Sequence, residues 1–224
     1  MQVQVVQNVL KMNDELAAQN RNRLRNAGVF TLDIMGAPGC GKTALIEATL
    51  KRLTPQLRCG VIVGDLTTQR DADRMARFTD HVVQINTGKG CHLEAHHVRQ
   101  AMDRIDLPSL DLLFIENVGN LICPVGFDLG QDLKVGIFCT AGGDDKAAKH
   151  PYIVCESSIL LLNKMDLISH VPFNRRIFRD DIARLNPDVP VIELSAITGF
   201  GLEAWLNWLQ NRREATGAKK ELAV

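Results

Sequence analysis

Short apolar runs alternate with stretches of helical rhythm along most of this chain. The runs Val29–Met35, Cys59–Gly64, His81–Ile85, Leu112–Glu116, Val135–Thr140, Ile159–Leu162 and Val191–Leu194 are strand-length and mostly free of polar interruption. Runs of that kind predict strands covered on both faces. Between them Lys42–Leu53, Gln69–Phe78, Leu93–Ile105, Asn174–Leu185 and Leu202–Asn211 place apolar residues at helical spacing. The alternation predicts an α/β fold, a mostly parallel central sheet flanked by helices. Ligands of such sheets sit at the carboxyl ends of the strands. Ahead of the first strand, Val6, Val9, Leu10, Leu16, Ala17 and Leu24 recur as one face of an amphipathic helix, or of two, which Gly28 ends.

The first strand leads into Gly36-Ala37-Pro38-Gly39-Cys40-Gly41-Lys42-Thr43, with Ala44 opening the helix that follows. This is the G-x-x-x-x-G-K-[ST] pattern of a P-loop, in the strand–loop–helix setting that its mechanism needs. Backbone N–H groups released by the glycines close around phosphate oxygens, and the helix N-terminus adds partial positive charge. Lys42 is placed to reach the β- and γ-phosphates and the Thr43 hydroxyl to ligate Mg²⁺. The expected organisation is an N-terminal amphipathic segment over 1–27, a P-loop NTPase domain over 28–213 and a C-terminal tail over 214–224.

A late strand ends in Asn163-Lys164-Met165-Asp166, the N-K-x-D pattern that reads guanine. A carboxylate at Asp166 accepts from guanine N1–H and N2–H₂, donors that adenine does not present in that arrangement. A base without them leaves the carboxylate unpaired, which discriminates strongly. Asn163 fixes the loop and meets the base edge, while the Lys164 stem covers the ring. Ser195-Ala196-Ile197 resembles the S-A-K loop behind the guanine carbonyl, with Ile197 in place of Lys. The bland alternative is a plain strand-to-helix turn. A P-loop small-molecule kinase is a rival enzyme class, against which N-K-x-D argues.

Gly64-Asp65 and Glu116-Asn117-Val118-Gly119 end two further strands on the same side of the sheet. A GTPase needs a carboxylate near Mg²⁺ and a glycine whose N–H senses the γ-phosphate. Asp65 is the first choice for that carboxylate and Glu116 the second, with Gly119 as the sensing glycine; each acid could instead merely cap its strand. Thr67, Thr68, Asp71 and Asp73 are candidates for a switch segment, although the two acids could be solvated helix charges. No Gln or Arg is assignable to water activation. Slow, regulatory hydrolysis of roughly 10⁻⁴ to 10⁻² per second is therefore expected.

Composition removes several classes. Among 224 residues, 26 basic and 26 acidic side chains balance, so no general affinity for nucleic acid or anionic membrane is expected. No apolar run is long enough to span a membrane, and the N-terminus lacks the pattern of a secretory signal, which predicts a cytoplasmic protein. The six cysteines, Cys40, Cys59, Cys91, Cys123, Cys139 and Cys155, form no C-x-x-C pair. Buried thiols are the ordinary reading for Cys59, Cys139 and Cys155.

Cys91 and Cys123 differ. Gly88-Lys89-Gly90-Cys91-His92 leads into a predicted helix, whose dipole would favour a Cys91 thiolate, and Cys123-Pro124 follows Gly119 by four residues. Cys, His and Cys are ligands for Zn²⁺, Ni²⁺ or Cu⁺. The competing set is His92 with His96, spaced i, i+4, with His97 adjacent. Taken singly, each residue is as readily a core filler or a helix cap.

The strings Asn86-Thr87-Gly88-Lys89-Gly90-Cys91-His92 and Glu116-Asn117-Val118-Gly119-Asn120-Leu121-Ile122-Cys123-Pro124 resemble the hydrogenase nickel-incorporation GTPases, the HypB family of metallochaperones. Asn13-Asp14-Glu15, Gly36–Thr43, Phe127-Asp128-Leu129-Gly130, Gly143-Asp144-Asp145-Lys146 and Asn163–Asp166 extend the likeness over residues 9 to about 210. The resemblance implies a GTP-dependent homodimer with a metal site at Cys91, His92 and Cys123. It implies nickel delivery to the large subunit of a nickel–iron hydrogenase, alongside a maturation co-chaperone. The implied cofactors are GTP/GDP, Mg²⁺ and Ni²⁺, or Zn²⁺ at the same ligands. The chain lacks the N-terminal cysteine motif and histidine-rich stretch of some members. A urease nickel-insertion GTPase is the near alternative, but its Cys-Pro-His motif is here Cys123-Pro124-Val125. A metal-storage module with a vestigial nucleotide site is a third reading, against which the intact Lys42 and Thr43 speak.

Overall fold

A computed structural model describes residues 4–54, 56–65 and 70–217, with side chains from residue 11 onward. Seven parallel strands form one sheet in the order β3-β2-β4-β1-β5-β6-β7. They are β1 (Phe30–Gly36), β2 (Cys59–Asp65), β3 (Val82–Asn86), β4 (Leu112–Glu116), β5 (Leu133–Cys139), β6 (Ile159–Asn163) and β7 (Val191–Glu193). Each expected strand is present, displaced by at most two residues at either end. The central position of β1, buried at all seven positions, brings its loop between the ends of β4 and β5. Chain order reverses at β1, so the loops after β1, β2 and β4 converge there.

The eight helices among the described residues are α1 (Gln4–Asn26), α2 (Lys42–Leu53), α3 (Arg70–Met75), α4 (Ala95–Met102), α5 (Lys146–Lys149), α6 (Pro151–Glu156), α7 (Arg175–Leu185) and α8 (Leu202–Ala215). One sheet face packs Phe30, Leu32 and Ile34 against Leu45, Ile46 and Leu50 of α2 and Trp205 of α8. Trp205 is fully buried and its indole N–H donates to Thr49 Oγ1 at 2.9 Å, so the ring costs no lost hydrogen bond. On the other face α1 and α4 cover Ile62, Leu113 and Ile115, and α6 and α7 cover Met35 and Leu160. No described helix is long and apolar enough to cross a membrane.

Several elements differ from the sequence expectation. The N-terminal pattern forms one continuous helix. Its stripe is interrupted by Asn13 and Asn20, both buried and both bonded to the far chain: Asn20 donates to the carbonyls of Ala95 and Leu129, and Asn13 accepts from Ala95 N. Among the described residues helix α3 runs from Arg70 to Met75, ending short of Phe78, and Thr67 and Thr68 lie outside the described residues. Helix α4 begins at Ala95 rather than Leu93, because Glu94 and His97 form a reciprocal capping box that fixes the first turn there. Short helices α5 and α6 occupy the β5–β6 connection, where no helical rhythm is legible over so few residues.

Candidate nucleotide and metal-binding site

The loop from Gly36 to Thr43 wraps the end of β1, with α2 starting immediately behind it. Gly41 has φ +101°, and a Cβ there would lie 2.3 Å from Asn163 Nδ2, so glycine alone fits. Gly36 closes β1, Gly39 takes φ +72° within the loop and Ala44 lies in the first turn of α2, while Cys40 is buried with its thiol pushed up to about 11 by desolvation. Lys42 is buried; its ammonium donates to the carbonyls of Gly36 and Ala37 at 3.3 and 3.5 Å, long contacts that phosphate oxygens can replace. A cleft of about 500 Å³ opens above this loop, walled by Thr43, Asp65, Glu116, Gly119 and Lys164 among others.

The second-choice carboxylate, Glu116, meets the Thr43 hydroxyl directly. Thr43 Oγ1 donates to Glu116 Oε1 at 2.7 Å, while Glu116 Oε2 is buried with no partner. Burial pushes the Glu116 carboxyl up to about 7, against the Thr43 hydrogen bond and the Lys42 charge that lower it. An orphaned carboxylate oxygen beside a threonine hydroxyl fits the donor set of a hard divalent cation, which would replace the Thr43 proton as partner. Asp65, at the end of β2, lines the same cleft. Gly119 lies flat on the phosphate loop: a Cβ would sit 3.0 Å from Pro38 Cα.

At the other end of the cleft Asn163 uses both ends of its amide on the protein. Nδ2 donates to Cys40 O at 3.0 Å and Oδ1 accepts from Ala196 N at 3.1 Å. It therefore ties the phosphate loop to the 195–197 loop, and one amide hydrogen and one oxygen lone pair remain for a further partner. Lys164 adopts φ +61°, the one positive φ among described non-glycine residues, and its carbonyl accepts from Thr140 Oγ1 at 2.7 Å. Asp166 is exposed, and Ser195 Oγ donates to its Oδ1 at 2.5 Å, which orients the carboxylate. Ile197 is 82 % exposed, leaving the chain's departure from S-A-K in open solvent. Arg74, which sequence reasoning did not assign, also walls the cleft, paired to Glu47 and to Asp71 at 3.4 Å. Asp73 points to solvent.

Cys91, His92 and Cys123 each offer a ligand atom, and these lie within 4.8 Å of one another. Thiolate and imidazole bonds of about 2.0–2.3 Å fit a single ion among them. Cys91 Sγ is 3.5 Å from His92 Nδ1, and His92 Nε2 is buried without a hydrogen-bond partner. The His92 ring stacks on Phe127 at 3.9 Å. Burial lowers the His92 pKa, which favours the neutral, ligating imidazole. Cys91 lies ahead of the Glu94 cap, so the α4 dipole does not act on it; its thiol is held above the ordinary range by its hydrogen bond with Cys123. The competing pair changes too. His92 precedes the helix and His96 is inside it, so the two do not share a helical face; both approach Glu94, at 3.7 and 3.3 Å, and the His96 ring lies 3.8 Å from that of His97, tilted by 38°.

Both ligand loops are tied down by residues that sequence reasoning passed over. Asn117 Oδ1 accepts from Leu93 N, next to His92, at 3.0 Å, and Arg21 holds Asp128, next to Phe127, through both carboxylate oxygens. The available signal was a polar residue at a buried position: Asn117 directly after an apolar strand, Asn13 and Asn20 within an apolar stripe.

A parallel sheet with a P-loop at its switch point and an N-K-x-D loop across the cleft defines a P-loop GTPase. The CobW/HypB/UreG, nucleotide-binding domain family matches residues 30–193. The hydrogenase maturation factor HypB of Azotobacter chroococcum mcd 1 is 42% identical over 213 residues, 95% of this chain and 70% of that protein. Among solved structures, HypB from Archaeoglobus fulgidus has a TM-score of 0.85 at 39% identity, covering 91% of this chain and 100% of that one. HypB from Helicobacter pylori, solved in complex with nickel, has a TM-score of 0.87 at 31% identity, covering 95% and 100%. The chain belongs to the HypB family of hydrogenase maturation factors.

Proposed function

We propose that this chain is a GTP-hydrolysing nickel metallochaperone serving nickel–iron hydrogenase maturation. The observation that carries the reading is the convergence of Cys91, His92 and Cys123 within 4.8 Å, with Cys123 on the segment that continues from the cleft wall at Glu116–Gly119. Nickel is the cargo at these ligands, and zinc, with similar ligand preference, competes for them.

In the GTPase unit, 28–213, Lys42 and the Gly36–Thr43 backbone hold the phosphates. Thr43, with Asp65 and Glu116, would hold Mg²⁺, which would supply charge neutralisation for phosphoryl transfer. Gly119 N–H senses the γ-phosphate, Asp166 reads guanine, Ser195 and Ala196 back its carbonyl, and the Lys164 stem covers the ring. GTP orders the segments after Asp65 and Glu116 and favours a homodimer, bringing two metal clusters together. Because Cys123 is four residues from Gly119, hydrolysis alters the cluster and releases nickel to the hydrogenase large subunit. A co-chaperone acts in the same cytoplasmic handover.

Linkage makes the scheme testable, since metal must change nucleotide affinity or dimerisation by the factor with which nucleotide changes metal affinity. Nickel and zinc are titrated into the protein with GDP and then with a non-hydrolysable GTP analogue while mass is followed. The expected result is a nucleotide-dependent metal affinity and a dimer with the analogue. Equal GTP affinity with and without Ni²⁺, together with metal-independent dimerisation under both nucleotides, overturns the scheme.

A further inference from the structure

Asn117 is almost completely buried at the end of β4, one residue past Glu116 and two before Gly119. Its backbone N–H continues the sheet ladder to Ile34 O at 3.1 Å. Its amide then makes three bonds. Nδ2 donates to Asp33 Oδ1 in β1 at 3.0 Å, and Oδ1 accepts from Val118 N and from Leu93 N, both at 3.0 Å. Two backbone N–H groups converging on one atom fix the amide's orientation, because each can only donate. One side chain thus links the strand carrying the phosphate loop, the segment reaching Gly119, and the residue directly after His92.

Leu93 is held at this point from a second direction. A Cβ on Gly64, at the end of β2, would meet the Leu93 side chain at 2.8 Å, so Leu93 packs on the bare backbone beside Asp65. At the loop's other end Thr87 N donates to Asp65 O at 2.9 Å. The Cys91–His92 loop is therefore suspended from the ends of β2 and β4, the two strands whose acids line the nucleotide cleft.

We propose that Asn117 is the positioning residue that transmits nucleotide state to the Cys91/His92 half of the metal cluster, while the chain from Gly119 to Cys123 transmits it to the other half. A shift of the β4 end toward a γ-phosphate then moves both halves, one through a buried side-chain amide and one through the backbone. Buried donors and acceptors left unpaired are costly, so Leu93 N follows Asn117 Oδ1 and does not part from it. The inference rests on the nucleotide–metal coupling of the proposed function, and it assigns part of that coupling to a residue that touches no metal.

The test is nickel titration of the full chain at saturating GDP and at a saturating non-hydrolysable GTP analogue, for wild type, Asn117→Ala and Asp33→Asn. The readout is the ratio of the two nickel affinities; coupled sites ordinarily show ratios of about 5 to 150. Asn117→Ala is expected to lower the ratio by about threefold or more, leaving the part carried by the chain from Gly119 to Cys123, whereas Asp33→Asn, which still accepts from Asn117 Nδ2, keeps it. A variant that weakens nickel equally in both states leaves the ratio intact, and that result overturns the inference by reducing Asn117 to a structural role. If Asn117→Ala does not fold, Asn117→Ser, polar but too short to reach Leu93 and Asp33 together, replaces it with the same expectation. A wild-type ratio of one overturns the underlying coupling itself, and with it this inference; a wild-type ratio above one retained in full by the Asn117 variant overturns the inference alone.

Discussion

The phosphate loop and the metal cluster are built in opposite ways. Gly36–Thr43 is contiguous, sits between buried strands, and is braced by Asn163 through Cys40 O and by Gly119 lying on Pro38. The cluster joins two segments distant in sequence, outside any strand or α-helix, with the Cys91 thiol exposed. Its anchors nearest the ligands are the side chains of Asn117, Leu93 and Phe127, with backbone bonds from Thr87 N to Asp65 O and from Asn120 N to Gly36 O further out. A site braced by sheet backbone resists displacement, whereas one hung on a few side-chain contacts changes geometry when an anchor moves. Nucleotide recognition needs the first property and reversible metal transfer needs the second.

The sharpest way to break the comparison is to disable the rigid end. Lys42→Ala is expected to lower GTP turnover by about 10²–10³-fold, the scale of losing one charge-stabilising donor, measured by phosphate release. Nickel stoichiometry of the nucleotide-free protein should not move; if it falls, the two ends are not separate sites. Cys123→Ala attacks the hung end. Losses of outer partners of metal ligands cost about 10–100-fold in affinity, so loss of a ligand itself should exceed that range by competition titration, with GTP affinity in metal-free buffer retained. Unchanged nickel affinity would transfer the site to His92, Glu94 and His96. Asp166→Asn is smaller: a charge-assisted hydrogen bond of about 1.5–3 kcal/mol corresponds to a roughly 10–100-fold narrower GTP-over-ATP preference. An unaltered preference would remove Asp166 from guanine recognition.

The contrast also explains which parts were legible in the sequence. Strands buried on both faces leave continuous apolar runs, and the P-loop is written in consecutive residues, so β1 to β7 and Gly36–Thr43 were readable directly. The start of α4 was not, because its cap is Glu94 with His97, a pairing outside the usual Ser/Thr and Glu/Gln signature. Helices α5 and α6 are too short for a period to repeat. Cys91, His92 and Cys123 were visible as residue types, but their proximity depends on the ends of β3 and β4 lying on either side of β2, which spacing does not encode. That Glu116 meets the Thr43 hydroxyl is likewise a contact in space that spacing along the chain does not encode. The loop-fixing role of Asn163 depends on the positions of Cys40 O and Ala196 N, which lie far from it in sequence.

The smallest predicted effect concerns the anchor beneath both ends. Asp33 is wholly buried in β1, its Oδ2 has no partner, and desolvation pushes its carboxyl up to about 7, opposed by the Asn117 hydrogen bond and the Lys134 charge and assisted by Asp128. In the unfolded chain the group loses its proton near its ordinary 3.8. Between those values the folded state holds more protons, so stability falls as pH rises. The contribution is complete below about pH 3.8, diminishes upward and is gone above about pH 7. Asp33→Asn removes the titration and keeps an acceptor for Asn117. Between pH 6 and pH 7, wild type should therefore lose about 1 kcal/mol of unfolding free energy relative to the variant, read from paired urea denaturations. Parallel pH profiles for the two proteins would mean that Asp33 reaches water or a further donor. The braced end would then be less dry than its burial implies, and the contrast between the two sites correspondingly weaker.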